Sequence, residues 1–421
     1  MLAIITTHPI QYQVPVWQEL ARRREVLFEV WYISDQGYRS SFDAGFQRAF
    51  SWDLDMLAGY PHRFIPTRPL KARVNTFCGA WVRSLRSLFE QRAVTALLIN
   101  GWYPQAYWQA AFQAQRAGIP VLLRGETNDL RQGSWWKEIV KRPLLKLLFQ
   151  RVSIFLTVGA ANRRLYQKYG VPESKLGSAP YCVDNKRFSE AAEALRSQRV
   201  DLRRSWGIPQ DGICFLFSGK LVPKKRPQDL LAALEMLLLE RERFDLKYPV
   251  HLLIAGDGIL RKPLEEQACA LSKIARRSCV TFTGFLNQTE MPKAYAAADC
   301  LVLPSDARET WGLVVNEAMA SGLPCIVSGQ VGCGADLIDP GMTGDLYPTG
   351  DVRRLAIAMA AWVDPGRRGC ARDAVRKKVA AYSVERAAEG ILEGVTAVSR
   401  RFSHRKISQK SAFSVGDRKN G

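Results

Sequence analysis

Histidine is scarce in this chain of 421 residues: only His8, His62, His251 and His404 are present. The nine cysteines are odd in number and form no CxxC pair. A structural zinc site needs clustered Cys and His ligands, and a disulfide framework needs paired cysteines, so neither organises this fold. Small buried thiols in a reducing compartment fit the pattern. No stretch approaches the ~18 uncharged apolar residues of a membrane-spanning helix. The opening, MLAIITTHPIQ, lacks the basic and longer apolar segments of a secretory leader. These absences point to a cytoplasmic protein without a resident metal.

Acidic residues are also short, but only in places. Residues 1–200 carry 28 basic and 15 acidic side chains, residues 201–399 carry 25 and 24, and residues 400–421 carry 7 and 1. A basic first half beside a neutral second half implies different partners for the two: nucleic acid, an anionic membrane surface or an acidic substrate. A surface made basic for solubility is the plain alternative. The apolar fraction of 47% is ordinary for a folded protein. The length suggests two or three domains at ~150 residues each.

Short apolar runs alternate with amphipathic stretches. Strands are predicted at residues 2–6, 26–33, 96–99, 121–124 and 154–158, with helices at 14–24, 76–91 and 104–117. The alternation restarts near residue 200, with strands at 214–218, 250–255, 280–282, 300–303 and 325–327 and helices at 227–241, 260–274, 291–298 and 313–320. Continuous apolar strands separated by helices indicate parallel sheets covered on both faces. The expected fold is α/β, with two doubly wound, Rossmann-like domains facing across a cleft. The divisions are residues 1–190 for the first domain, 191–204 for a linker and 205–382 for the second. A helix at 383–401 would pack back on the first domain, and 402–421 read as a basic disordered tail.

Ligands in open α/β sheets bind beyond the carboxyl ends of the strands. Three such loops stand out. In the first, Ser218-Gly219-Lys220-Leu221-Val222-Pro223-Lys224-Lys225-Arg226, four cations crowd a helix N-terminus, where the helix dipole disfavours them. A phosphate between the cations and the helix end would reconcile the two; a solvated basic loop is the alternative. The second, Gly256-Asp257-Gly258, lacks a third glycine and reads better as a tight turn capped by Asp257 than as a dinucleotide loop. The third runs from Pro304 to Pro324. Glu309 lies in its polar loop, Gly312 opens a helix, and Glu317 falls in the first turns of that helix. The helix start suits an anion, and the two carboxylates suit hydroxyl-rich ligands on either side of it.

This third segment resembles the signature of glycosyltransferase family 4, retaining enzymes of the GT-B fold, with Glu309 and Glu317 at the ends of its E-x7-E motif. The first loop resembles the family's G-[RK]-L-x-x-x-K pattern, with Lys220 and Lys225 at the basic positions. Thr283-Gly284-Phe285, Ala320-Ser321-Gly322-Leu323-Pro324 and Gly341-Met342-Thr343-Gly344 follow in the family's order, and the match covers residues 205–385. The resemblance implies a retaining glycosyltransferase of hexosyltransferase type that uses a UDP- or GDP-type sugar as co-substrate, with no cofactor and no metal. Lys220 and Lys225 beside Gly219 would neutralise the donor diphosphate, and backbone near Gly312, Leu313 and Val314 would help to hold it. Glu317 would bind the ribose and Glu309 the transferred sugar, with Gly284, Phe285 and Leu286 near the base. Lys220, Lys225 and Glu309 are thus the expected catalytic residues. The acceptor would be a cell-surface glycan or a lipid-linked precursor, as in polysaccharide biosynthesis.

The first half matches less closely. Its start, Thr7-His8-Pro9-Ile10-Gln11-Tyr12, resembles a subset of the family, and His8 and Gln11 are placed facing the cleft. Arg124 and Glu126 stand where the family often has a histidine. Asp53-Leu54-Asp55 has the form of a metal-binding DxD, but in a loop far in sequence from the diphosphate loops; an acceptor-side or structural loop is the stronger reading. Residues 77–92 and 135–151 set Arg and Lys among Trp, Leu and Phe at helical spacing. They suggest peripheral contact with the anionic inner face of a membrane, against a core-facing stripe with a basic rim. Two rivals remain open: a basic nucleic-acid-binding protein, and a GT-B epimerase or phosphorylase.

Overall fold

The computed structural model describes residues 1–69, 74, 76–131 and 135–416, with 41, 137 and 401–416 described by backbone alone. Two parallel sheets form its two halves. The first has seven strands in the order Leu176–Ser178, Val152–Thr157, Val121–Arg124, Ala96–Ile99, Leu2–Thr6, Phe28–Tyr32, His62–Phe64. The second has six, in the order Val280–Gly284, Val250–Ala255, Ile213–Ser218, Cys300–Leu303, Cys325–Ser328, Gly344–Tyr347. The pairings within each sheet are parallel. Strands such as Leu2–Thr6 and Ile213–Ser218 are buried at every residue, because helices cover both faces.

Apolar residues from each face of each sheet join the helices over it. Phe215, Phe217 and Leu252 pack under Leu230, Leu234 and Leu237 of the Pro227–Leu239 helix. On the other face, Leu216, Leu253 and Leu301 meet Val315, Ala318 and Met319 of the Leu313–Ala320 helix. That burial fixes where each helix begins, and so aims its N-terminus at the carboxyl ends of the strands.

The chain passes from the first half to the second through residues 179–184 and returns at Tyr382. Asn185 ties the passages together, donating to the carbonyls of Val379 at 3.1 Å and Tyr382 at 3.3 Å. The returning helix, Val384–Gly416, packs Ala387, Ala388 and Ile391 against Leu122, Ile154 and Leu156 of the first sheet.

Several sequence expectations need correction. The helix expected over residues 76–91 is confined to Arg86–Gln91; before it, Trp81–Val82 pairs antiparallel with Thr67–Arg68. The amphipathic pattern there serves a hairpin packed on the Gln105–Arg116 helix, not one long helix. The stretch around the linker expected at 191–204 is helical, with helices at Asn185–Ala194 and Arg199–Ser205. The tail expected to be disordered from 402 continues as helix to Gly416; it propagates from a long docked helix, which composition alone does not reveal. Residues 417–421 lie outside the described residues. The nine cysteines are unpaired.

Docking of the last helix depends on Gly390, where a Cβ atom would stand 1.7 Å from the Ser178 carbonyl oxygen. Alanine normally favours a helix interior by about 1 kcal/mol over glycine. Here the clash dominates: Gly390→Ala is expected to lower the unfolding free energy by about 1–3 kcal/mol in urea titration. An unchanged or higher midpoint would show that the two surfaces are not in such close contact.

Candidate functional site

The carboxyl-end loops of the two sheets meet. Within the second half, backbone hydrogen bonds stack three of them: Gly219 N–H donates to Ala255, Leu221 to Asp257, and Gly256 to Gly284, at 2.8–2.9 Å. A Cβ on Gly256 would lie 1.9 Å from the Gly219 carbonyl oxygen, and one on Gly258 would lie 2.6 Å from that of Leu221. These glycines therefore let neighbouring loops approach. Gly258 N–H donates to the Asp257 carboxylate at 2.9 Å, the capped turn that the sequence suggested.

Lys225 is 9% exposed and belongs to a short 3-10 turn after Gly219. Its Nζ is 2.5 Å from Glu309 Oε2, an ion pair lacking the alignment of a directed hydrogen bond. The lysine stem crosses Gly219, with Cε 3.6 Å from where a Cβ would be. The Asp306 N–H donates to the Lys224 carbonyl at 2.9 Å and joins the two loops. Asn128 of the first half donates to the Thr310 carbonyl at 2.8 Å and holds the Glu309 loop from across the interface. Gly312 begins the Leu313–Ala320 helix with φ of 97°, in the left-handed region that favours glycine. A Cβ there would also meet the Leu303 side chain at 2.8 Å.

Glu317 is 1% exposed. The Tyr295 hydroxyl donates to its Oε2 at 2.5 Å. Tyr12 and Gln288 also lie beside this carboxyl, without closing a well-formed hydrogen bond to Oε1. Arg187, which donates to the Gln288 side-chain oxygen at 2.7 Å, supplies a positive field. Burial raises the Glu317 pKa in spite of the hydroxyl donors and Arg187. Tyr12 is the last residue of the His-Pro-Ile-Gln-Tyr start, so this motif reaches the second half directly.

Glu126 is solvent-exposed at the strand end, with Tyr181, Arg124 and Glu309 in its neighbourhood. Desolvation raises its pKa; the Tyr181 hydroxyl opposes this, and the neighbouring Glu309 charge reinforces it. Glu126 and Glu309 thus come from opposite halves, and Glu126 feels the charge of Glu309. Arg124 is 2% exposed and donates to the carbonyls of Ala179 at 3.0 Å and Pro180 at 2.8 Å, fastening the interdomain passage. These donors serve the backbone, a role that the expectation of a substrate contact did not include. His8 contacts the Thr7 hydroxyl at 3.0 Å, and burial lowers its pKa to about 4, so the ring is neutral at pH 7. Gln11 stands beside the Tyr12 hydroxyl.

Lys220 has a partner that the sequence did not suggest. A hairpin, Ser41–Asp43 with Arg48–Phe50, reaches from the first half onto the second. Lys220 Nζ donates to Asp43 Oδ1 at 2.9 Å and Oδ2 at 2.8 Å. Burial would raise the Asp43 carboxyl; Lys220 and the N–H groups of Phe46 and Gly45 instead hold it below its ordinary value. Phe46 and Phe50 pack on Phe285 with ring centroids 4.9 and 4.6 Å apart, and Arg48 lies over the Phe285 ring at 4.8 Å. The hairpin therefore covers both Lys220 and the Gly284–Leu286 stretch. Its sequence contains few long aliphatics and no periodic stripe, so the only available signal was the aromatic cluster Phe46, Phe50 and Trp52.

The two DxD carboxylates act separately. Asp53 Oδ2 accepts the Thr289 N–H at 3.1 Å across the interface, while Asp55 Oδ1 caps the N–H groups of Leu57 and Ala58. No group of three or more potential metal ligands occurs among the described residues.

Two parallel α/β domains meeting at their strand carboxyl ends define the GT-B glycosyltransferase fold, and solved structures agree. HepE of Anabaena, in complex with UDP and glucose, aligns with a TM-score of 0.65 at 16% identity, over 94% of this chain and 99% of that one. WaaG, a glycosyltransferase of lipopolysaccharide biosynthesis, aligns with a TM-score of 0.63 at 16% identity, over 94% of this chain and 100% of that one. In sequence, residues 198–377 match the family model described as glycosyl transferases group 1. The chain is 30% identical over 239 residues to a D-inositol 3-phosphate glycosyltransferase of Geodermatophilus obscurus, covering 56% of this chain and 50% of that protein. It is 37% identical over 131 residues to an uncharacterised glycosyltransferase of Methanocaldococcus jannaschii, covering 31% of each. The chain thus spans half or less of the length of these curated relatives.

The Glu317 environment carries a pH signature. A carboxyl whose folded pKa lies above its unfolded value stabilises the fold fully below the ordinary glutamate range, and that stability is lost as pH rises through the folded pKa. Glu317→Gln keeps the acceptor for Tyr295 and removes the titration. The variant is expected to lose less stability than wild type as pH is raised from about 4.5, measured by unfolding at successive pH values. Parallel curves for the two proteins would refute the burial argument.

Proposed function

We propose that this protein is a retaining glycosyltransferase that moves a hexosyl group from a UDP- or GDP-type sugar to a cell-surface glycan or lipid-linked acceptor, at the cytoplasmic face of a membrane. One observation carries the reading: a cationic loop at one strand end, with Lys225 buried against Glu309, beside a glycine-opened helix start. This constellation suits a diphosphate leaving group. The match of residues 198–377 supports it, as does a structural relative solved with UDP and glucose.

The demanding step is departure of the nucleoside diphosphate. The bond from the anomeric carbon to the diphosphate oxygen breaks as charge grows on that oxygen. Lys220, Lys225 and the N–H groups of Leu313 and Val314 stabilise that charge in the cleft. The acceptor hydroxyl attacks from the same face, and its proton passes to the departing phosphate oxygen, giving retention. No metal or cofactor is required by this scheme. Glu309 accepts hydrogen bonds from hydroxyls of the transferred sugar, and Glu317 from the ribose. Glu126, exposed in the field of Glu309, orients the acceptor hydroxyl; His8 and Gln11 line the acceptor side.

The Asp43–Lys220 bridge has a consequence. An aspartate carboxylate sits on the ammonium that the diphosphate needs, so donor binding exchanges one anion for another and shifts the hairpin.

Two outcomes test the scheme. Lys225→Ala is expected to lower kcat by about 10²–10³ while the protein stays folded, as loss of one charge-stabilising group does elsewhere. Undiminished turnover in a folded variant would remove Lys225 from the reaction. Asp43→Asn is expected to tighten nucleoside diphosphate binding by calorimetry, because the competing carboxylate charge is gone. Unchanged or weaker binding would refute the exchange.

A further inference from the structure

The Trp135–Phe149 helix leaves one apolar side uncovered. Leu145, Leu148 and Phe149 are buried against the first half. Trp135, Trp136, Ile139, Val140, Leu144 and Leu147 are instead 42–75% exposed. Positions 136, 140, 144 and 147 follow the spacing of a single helical face. That face borders a groove of about 1680 Å³, with Trp102, Trp108 and Phe112 on its other wall. Isolated exposed apolar residues are unremarkable on a soluble protein; a contiguous surface of this extent marks a site of contact.

The charge around this face identifies the partner. Residues 83–151 carry eleven basic side chains and four acidic ones. Arg86, Arg116 and Lys141 stand at the groove. Arg142 and Lys146 are exposed on the helix itself, and Arg151 lies over the Phe112 ring at 4.2 Å. Tryptophans at one end of an amphipathic helix, leucines along it and long cations beside it form the composition that seats a helix in the interface of an anionic bilayer, with the cations reaching the headgroups. A protein partner of the usual kind would not need this excess of cations. No helix among the described residues is long and apolar enough to cross a membrane, so the contact is peripheral.

The face also connects to the cleft. Trp102, on the groove wall, lies 3.3 Å from where a Cβ of Gly125 would stand. Gly125 adjoins Glu126, the carboxyl that feels the Glu309 charge. We infer that the 135–149 helix and its groove dock on an anionic phospholipid bilayer and turn the acceptor side of the cleft toward the membrane surface. This deepens the proposed membrane location by naming its surface. The docking itself does not rest on sugar transfer and is read by binding alone, so failure of one leaves the other standing.

The test is flotation of the full chain with vesicles of phosphatidylcholine, with or without phosphatidylglycerol, at low and high salt. Wild type is expected to float with the anionic vesicles, to release at high salt and to leave neutral vesicles largely unbound. Val140→Glu with Leu144→Glu changes two exposed side chains, so the thermal midpoint should hold while vesicle binding falls at least tenfold. Brominated lipid should quench tryptophan emission in wild type and not in the double variant. Wild type that fails to float, equal binding to neutral vesicles, or equal binding by the variant would overturn the proposal. So would a wild-type dimer that the variant converts to monomer, since the face would then pair copies of this chain.

Discussion

An ammonium group removed from water needs an anion, and in this protein that need organises the cleft. Lys225 is buried where the second sheet's loops converge, and Glu309 answers its charge. Removing a charge from solvent costs several kcal/mol unless a partner and hydrogen bonds compensate. The close-packed glycines at 219, 256 and 258 let three loops draw together around this lysine. Gly312 turns the Glu309 loop into a helix start beside the pair. Asn128 reaches over from the first half to hold that loop, so both halves contribute to the position of one carboxylate.

The same logic explains the Asp43 hairpin. Lys220 is half exposed at the rim and, like Lys225, finds a carboxylate from within the chain. Lys220 and Lys225 therefore each already have an anion, one from each half. A site of this kind suits exchange: the protein's own carboxylates satisfy the cations until a stronger, doubly charged ligand takes their place. The aromatic contacts of Phe46 and Phe50 with Phe285 tie the hairpin to the stretch beside it, so movement at Lys220 is felt there as well.

Much of this was legible in the residues. Strands such as 2–6, 250–255 and 300–303 are continuous apolar runs, and burial on both faces is the only way to satisfy them. Lys225, Glu309 and Gly312 stand on strand-to-helix loops, and Glu317 on the helix that follows, in places set by the parallel topology. What escaped has a common cause. The 41–50 hairpin and the short strands at 62–64 and 81–82 owe their place to partners distant in sequence, and the last turns of the final helix propagate from its docked part. Arg124 shows the limit most clearly: its type and place suggested a ligand contact, whereas its guanidinium secures the carbonyls of Ala179 and Pro180. Tyr12 shows the reverse case. It ends a motif visible in the sequence, yet its place beside Glu317 appears only once the halves meet.

Recognition of a diphosphate by the Lys220–Lys225 loop is the central requirement for sugar transfer at this cleft. Calorimetric titration of the full chain with UDP, GDP and the corresponding monophosphates tests this most directly. One of the diphosphates should bind at least about tenfold more tightly than its monophosphate, because the second phosphate gains charge-assisted hydrogen bonds. Equal affinity for the two, or no binding of either diphosphate, would contradict it.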